Sequence, residues 1–183
     1  LHKEYRRQRQ MCIRDRSFFV YNFNCIYEWV YNVSKPNLLI SECLCGVCCR
    51  YDGNHNKIDC LEELKSLYNL IPVCPEVLGG LLTPRPPAER IGDRVQTRNG
   101  IDVTEQFKGG AELALAIAID KNCLCALLKA KSPSCGYGEI YDGTFTRTLV
   151  NGVGVTSELL LQHNIQIYTE KNVQDLIKHN SDD

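Results

Sequence analysis

From residue 38 onward the chain switches repeatedly between two hydrophobic spacings, and this alternation limits the folds open to it. Short apolar runs occur at 38–41 (LLIS), 70–73 (LIPV), 124–129 (LCALLK) and 165–170 (IQIYTE). Their length and composition suit buried strands. Between them lie stretches with helical spacing. In IDCLEELKSLYN (58–69), Ile58, Leu61, Leu64 and Leu67 share one face with charges opposite. Asp102 and Glu105 make a capping-box-like start to a helix reaching about Lys121, apolar nearly all round in its ELALAIAI stretch. GVTSELLLQHN (154–164) and NVQDLIKHN (172–180) read as two further helices. Strands alternating with helices imply βαβ units, hence an α/β three-layer sandwich around a mostly parallel sheet. EIYDGTFTRTLV (139–150) alternates around Asp142-Gly143, which predicts a β-hairpin insertion. GGLLTPRPPAERIG (79–92) is too rich in Gly and Pro to be regular throughout.

The length of 183 residues suits one ordinary domain, which we place at 34–183. Residues 1–33 fit it poorly. Their opening, LHKEYRRQRQMCIRDRSFF, has neither helical nor strand spacing and lacks the amphipathic, Ser-rich character of a transit peptide. RRQRQMCIRDR resembles translated adaptor sequence, so 1–33 reads as a disordered or artefactual leader. Cys12, Cys25 and Trp29 are set aside as site residues on that ground.

The formal net charge of -1 supplies no basic field for nucleic acid. No apolar run reaches the roughly 18 residues that span a bilayer. Eleven cysteines without a secretory signal point to a reduced, cytoplasmic, metal-binding protein rather than a disulfide scaffold. The four histidines (His2, His55, His163, His179) form no HExxH or paired pattern, so any metal would be held by sulfur. A homodimer is left open.

CLCGVCCRYDG, at 43–53, gathers Cys43, Cys45, Cys48 and Cys49 and mimics a complete metal module. Four ligands in so short a stretch would be strained around one tetrahedral ion. A second grouping is geometric. Cys43, Cys74 and Cys135 each lie just past the C-terminal end of a predicted strand, where open α/β sheets form their sites. Any one of them alone reads as a buried small hydrophobe; three at equivalent strand ends read as a site. Cys60, Cys123 and Cys125 fall within predicted elements and read as core. DGNHNKIDCLEE (52–63) approaches a calcium loop but has Lys57 where glycine is required. Gly136-Tyr137-Gly138 opens a hairpin rather than a helix, which excludes a dinucleotide fingerprint.

Several motifs, in unbroken order from about 36 to 170, carry a resemblance: LLISECLCG with CRYDG, CPEVLGGLLTPRPPAE, GIDVTEQFKGGA, KAKSPSCGYGEIYDGTF and NGVGVT. Together they resemble the family filed as domain of unknown function 523, which includes bacterial thiouracil desulfidases. The resemblance implies a [4Fe-4S] cluster on Cys43, Cys74 and Cys135, with one iron left open. It implies removal of sulfur from a small thiolated substrate such as 2-thiouracil, releasing sulfide without net redox change. Glu76 and Ser132 fall where the resemblance places a proton-handling pair. Arg50 and Arg85 are candidates to hold a substrate group, although each also reads as a solvated or salt-bridged structural arginine. Glu42 stands before Cys43 where similar proteins carry a small residue. Sulfur trafficking on an iron–sulfur centre, and a metal-binding domain without turnover, are the alternatives.

Overall fold

The computed structural model describes residues 35–179. The predicted leader at 1–33, with Cys12, Cys25 and Trp29, lies outside the described residues. Four strands, β1 (Asn37–Ser41), β2 (Asn69–Val73), β5 (Cys125–Leu128) and β8 (Gln166–Thr169), form one sheet in the order β2-β1-β5-β8. Every pairing in it is parallel. These are the four apolar runs read from the sequence.

Both faces of the sheet are covered. Strand alternation sends Leu38, Ile40, Leu127 and Tyr168 to one side. There they pack with α1 (Leu61–Leu67) and α5 (Val173–His179), through Leu61, Leu64, Val173, Leu176 and Ile177. Leu39, Val73, Ala126, Leu128 and Ile167 face the other side, against α3 (Thr104–Asp120) and α4 (Val155–Gln162). The result is the expected three-layer sandwich with a mostly parallel sheet. The α3 start differs in detail from a capping box: Asp102 Oδ1 accepts the Thr104 N–H at 2.9 Å, and no side chain caps from Val103. Among the described residues no helix is long and apolar enough to cross a membrane.

Two hairpins stand apart from the sheet. The predicted one is β6 (Glu139–Tyr141) with β7 (Leu149–Asn151), antiparallel around Asp142-Gly143. The other, β3 (Ala88–Ile91) with β4 (Arg94–Thr97), begins at the end of the Gly- and Pro-rich stretch, and no strand was predicted there.

A tight helical turn, α2 (Pro75–Leu78), follows β2 directly, with Pro75 at a first-turn position that needs no donor. It sits against α3 at a glycine contact. A Cβ on Gly79 would meet the Gln106 carbonyl oxygen at 1.9 Å, and one on Gly110 would meet that of Pro75 at 1.9 Å. The two backbones touch because neither position has a side chain.

Candidate active site

The strand order places a reversal between β1 and β5: the chain moves to one side of β1 for β2 and to the other for β5. Crevices at such reversals, outside the carboxyl ends of the strands, are where open α/β sheets bind ligands. A cavity of about 580 Å³ lies there, lined by Cys43, Cys49, Cys74, Cys135, Glu76, Ser132, Arg50 and Arg85 among others. All the predicted site residues therefore share one cavity.

Each cysteine is set by the turn that follows its strand. After β1 the chain enters a 3-10 turn, Glu42–Cys45, and Gly46 closes it at φ 98. The Cys43 carbonyl accepts N–H groups from Gly46 (3.3 Å) and Asn56 (2.9 Å). Cys74 is the residue before α2, and its carbonyl accepts the Leu78 N–H at 2.9 Å. Cys135 lies in the loop after β5, fully surrounded. Its carbonyl accepts the Ser157 hydroxyl at 2.8 Å, and the neighbouring Ser134 and Thr156 hydroxyls pair at 2.8 Å. Lys131, four residues earlier, holds a left-handed φ of 65, a local strain of the kind that gathers at functional sites. Lys129 N–H donates to Ser41 Oγ at 2.9 Å, tying the ends of β1 and β5 together.

Three of the cavity thiols, Cys49, Cys74 and Cys135, are pushed above the ordinary thiol range. Burial pushes Cys135 up to about 12, against the lowering effect of the Ser41 and Ser134 hydroxyls. Cys74 is pushed up further, first by its hydrogen bond with Cys49 and then by burial. Cys49 rises to about 12, first through its hydrogen bond with Cys43. Cys49 thus lies between two of the three expected ligands. All nine cysteines of the described residues are free thiols. Cys48 is exposed, Cys45, Cys60 and Cys125 pack on one core cluster, and Cys123 is buried in the other.

This donor set fits an iron–sulfur group. It offers soft sulfur from three separate segments at one wall, with no histidine in the cavity lining. Among the described residues no three Cys, His, Asp or Glu side chains converge as one metal ion requires. Of the four cysteines in CLCGVCC, Cys43 and Cys49 line the cavity, whereas Cys48 is exposed and Cys45 packs on a core cluster.

Glu76 and Ser132 meet. Ser132 Oγ accepts the N–H groups of Ser134 and Cys135, both at 3.1 Å, and lies 3.4 Å from Glu76 Oε1. With its lone pairs engaged, the hydroxyl hydrogen is directed at the carboxylate. The other oxygen, Oε2, takes both Nε (2.9 Å) and Nη2 (2.7 Å) of Arg85. Arg85 also donates to the carbonyls of Leu82 and Cys49 and to Thr83 Oγ1. Its donors are turned toward the protein. Arg50 is similar: it bonds Asn56 Oδ1 and pairs with Asp52 at 3.0 Å. Both arginines are ion-paired with a neighbouring carboxylate, Arg50 with Asp52 and Arg85 with Glu76. Among the lining residues that the sequence reading did not single out are Lys129 and Glu89. Lys129 is paired with Glu170. Glu89 sits in the unforeseen hairpin, and only its place in TPRPPAE could have drawn attention to it.

A family model described as 2-thiouracil desulfurase matches residues 38–172. The chain belongs to the 2-thiouracil desulfurase family. Among proteins similar to this family member is the [4Fe-4S]-dependent thiouracil desulfidase TudS, known as a solved structure. The two are 44% identical and superpose with a TM-score of 0.77, over 80% of this chain and 99% of that one. The uncharacterized protein YbbK of Bacillus subtilis strain 168 is 39% identical over 150 residues, 76% of this chain and 99% of YbbK.

Proposed function

We propose that this chain is a [4Fe-4S]-dependent desulfidase that hydrolyses the thiocarbonyl of compounds such as 2-thiouracil. Water replaces sulfur at carbon, so C=S and H2O become C=O and H2S with no net redox change. Residues 34–183 form the catalytic domain in this reading, and a thiol-reducing compartment, the cytoplasm, suits it. The observation that carries it is the shared cavity: Cys43, Cys74 and Cys135 line the same crevice as the Glu76–Ser132 pair.

Cys43, Cys74 and Cys135 would hold the cluster as thiolates, releasing their protons on loading. When bound, a cluster with three protein ligands supplies an open iron, a Lewis acid with affinity for the soft sulfur of C=S. The protein then moves protons. Glu76 is placed to take a proton from the water that attacks the thiocarbonyl carbon. Ser132 links Glu76 to the substrate, passing a proton toward the ring nitrogen or the departing sulfur. Arg85 does not touch substrate; it fixes the Glu76 carboxylate so that Oε1 faces Ser132.

The test is anaerobic purification with iron, sulfide and zinc analysis, followed by sulfide release from 2-thiouracil. About four irons per chain with matching sulfide are expected, and Cys74→Ala should lose them. Zinc without iron would overturn the cofactor. A loaded protein that frees no sulfide from any thiolated pyrimidine would overturn the reaction.

A further inference from the structure

Glu89 is a cavity residue that the proton-transfer scheme does not use. It lies in β3 and is only 7% exposed. Glutamates this buried are ordinarily paired with a cation. Glu89 takes part in no ion pair among the described residues. Arg98, Arg147 and Lys131 share the cavity wall, yet none approaches it within ion-pair distance. Its chain neighbour Arg90 points the other way, as strand alternation requires, to Glu158 (2.7 Å) and the Val153 carbonyl (2.9 Å).

The hydrogen bonding of Glu89 is half complete. Oε2 accepts the Phe145 N–H at 3.0 Å. Phe145 presents that N–H from a left-handed φ of 60, in a hairpin loop seated on β3 so closely that a Cβ on Gly143 would meet Ile91 Cγ1 at 2.4 Å. Oε1 accepts nothing among the described residues. No sealed side-chain oxygen in them lacks a partner, so Oε1 is open, and the space that Glu89 faces is the cavity holding Cys43, Cys74, Cys135, Glu76 and Ser132. A nine-tenths buried carboxylate with one oxygen engaged and one offered to a binding cavity calls for a donor from the ligand.

We propose that Glu89 is a specificity-determining residue: its free Oε1 accepts a hydrogen bond from a ring N–H of the substrate. The inference rests on the desulfidase reading, and it narrows the substrate class to thioamide- or thiourea-type heterocycles that keep an N–H beside the thiocarbonyl. A ring lacking that N–H leaves the buried carboxylate oxygen unpaired as the site fills, and sites of this design reject such analogues strongly. A carboxylate accepts only, whereas a carboxamide in its place can hold Phe145 through oxygen and would turn an N–H donor toward the ring.

The experiment compares cluster-loaded wild type and Glu89→Gln on 2-thiouracil and its 1-methyl, 3-methyl and 1,3-dimethyl derivatives. In wild type, kcat/KM is expected to fall for the derivative methylated at the recognised nitrogen and for the dimethyl ring. In Glu89→Gln, KM for 2-thiouracil should rise about tenfold to a hundredfold, the worth of one hydrogen bond to a charged group, while kcat changes little. The discrimination among methylated rings should collapse. Iron content and thermal midpoint should stay at the wild-type values, since the Phe145 hydrogen bond survives. Unchanged KM and unchanged discrimination in a folded, loaded variant would overturn the proposal. If loaded wild type frees no sulfide from any of these rings, the desulfidase reading fails separately. Equilibrium dialysis of 2-thiouracil and its dimethyl derivative against both proteins then decides whether Glu89 reads an N–H: equal binding of both rings by wild type would overturn it.

Discussion

The contact between α2 and α3 makes a prediction opposite to helix propensity. Gly109 and Gly110 are adjacent in α3, and alanine is the better helix former at both by about 1 kcal/mol. Their surroundings differ. A Cβ on Gly109 meets nothing within 4 Å, whereas one on Gly110 lands 1.9 Å from the Pro75 carbonyl oxygen and 3.0 Å from Gly79 N. The first distance is roughly 1.5 Å inside the ordinary contact limit of 3.4 Å, and both neighbours are backbone, which cannot swing aside. Overpacking of this kind costs about 1–3 kcal/mol, and more where backbone must move. Gly110→Ala should therefore lose about 1–2 kcal/mol net, and Gly109→Ala should gain about 0.5–1 kcal/mol. For a domain of this size the expected shifts are a Tm fall of about 2–8 °C for the first and a rise of about 1–4 °C for the second. Pro75 lies between Cys74 and Glu76, so relief of the clash also moves the proposed cluster ligand and the proposed proton carrier. Displacement of reacting groups by about 1 Å can cost a hundredfold in rate. The assay is thermal unfolding of both apoproteins, with iron content and kcat after loading. A Gly110→Ala protein as stable as wild type, with full iron and full rate, would refute the argument that this glycine contact positions the site.

Ser132→Ala removes the hydrogen directed at Glu76 and is expected to lower kcat by about a hundredfold to ten-thousandfold with iron retained; iron analysis beside steady-state rates checks it. The same change strands the Ser134 and Cys135 N–H groups, at a stability cost of about 1–2 kcal/mol readable by urea unfolding. Arg85→Lys keeps the charge but loses the fork that grips Glu76 Oε2 and reaches the Cys49 carbonyl, so kcat should drop while KM for 2-thiouracil stays near wild type. A raised KM with unchanged kcat would instead make Arg85 a substrate holder. The buried Cys135 thiol, held at about 12, ionises later in the folded apoprotein than in the unfolded chain. Its contribution is complete below the unfolded thiol value of about 8.5 and is lost as pH rises through the folded one. The stability gap between wild-type and Cys135→Ala apoproteins should accordingly narrow between about pH 8.5 and 12, measured by urea midpoints at each pH.

The elements that bury apolar surface were legible because their periodicity is the cause of their burial. Leu38, Leu39 and Ile40 are fully buried, on alternating faces of a strand with helices on both sides. A continuous apolar run is the only pattern that such a strand permits. The gathering of Cys43, Cys74 and Cys135 followed from the same reasoning, since parallel strands in one sheet bring their carboxyl ends to one edge. Their side-chain partners were not legible. Nothing in the spacing of Glu76 and Arg85 states that Nε and Nη2 close on one carboxylate oxygen, because that contact depends on the path of the Pro-rich loop between them. Cys48 and Cys49 show the limit most directly: adjacent in sequence, one is exposed and the other lines the cavity between two thiols.

In the hairpin that the sequence concealed, one strand departs from ordinary burial. In β3 the buried residue is the charged one, Glu89 at 7% exposure, while the largest apolar residue, Ile91, is 45% exposed. A binary pattern of this kind gives no strand signal, since strand signals arise from apolar burial. Selection for stability alone would remove this departure. A carboxylate in a core-like position costs free energy that apolar side chains of similar size would not. Local disagreement between sequence and fold is expected where a side chain serves a ligand instead of the core. The missing strand signal at β3 and the half-bonded Glu89 facing the cysteine-lined cavity thus meet at one residue: in the reading proposed above, Glu89 is buried against the cavity to serve a ligand and not to fill the core.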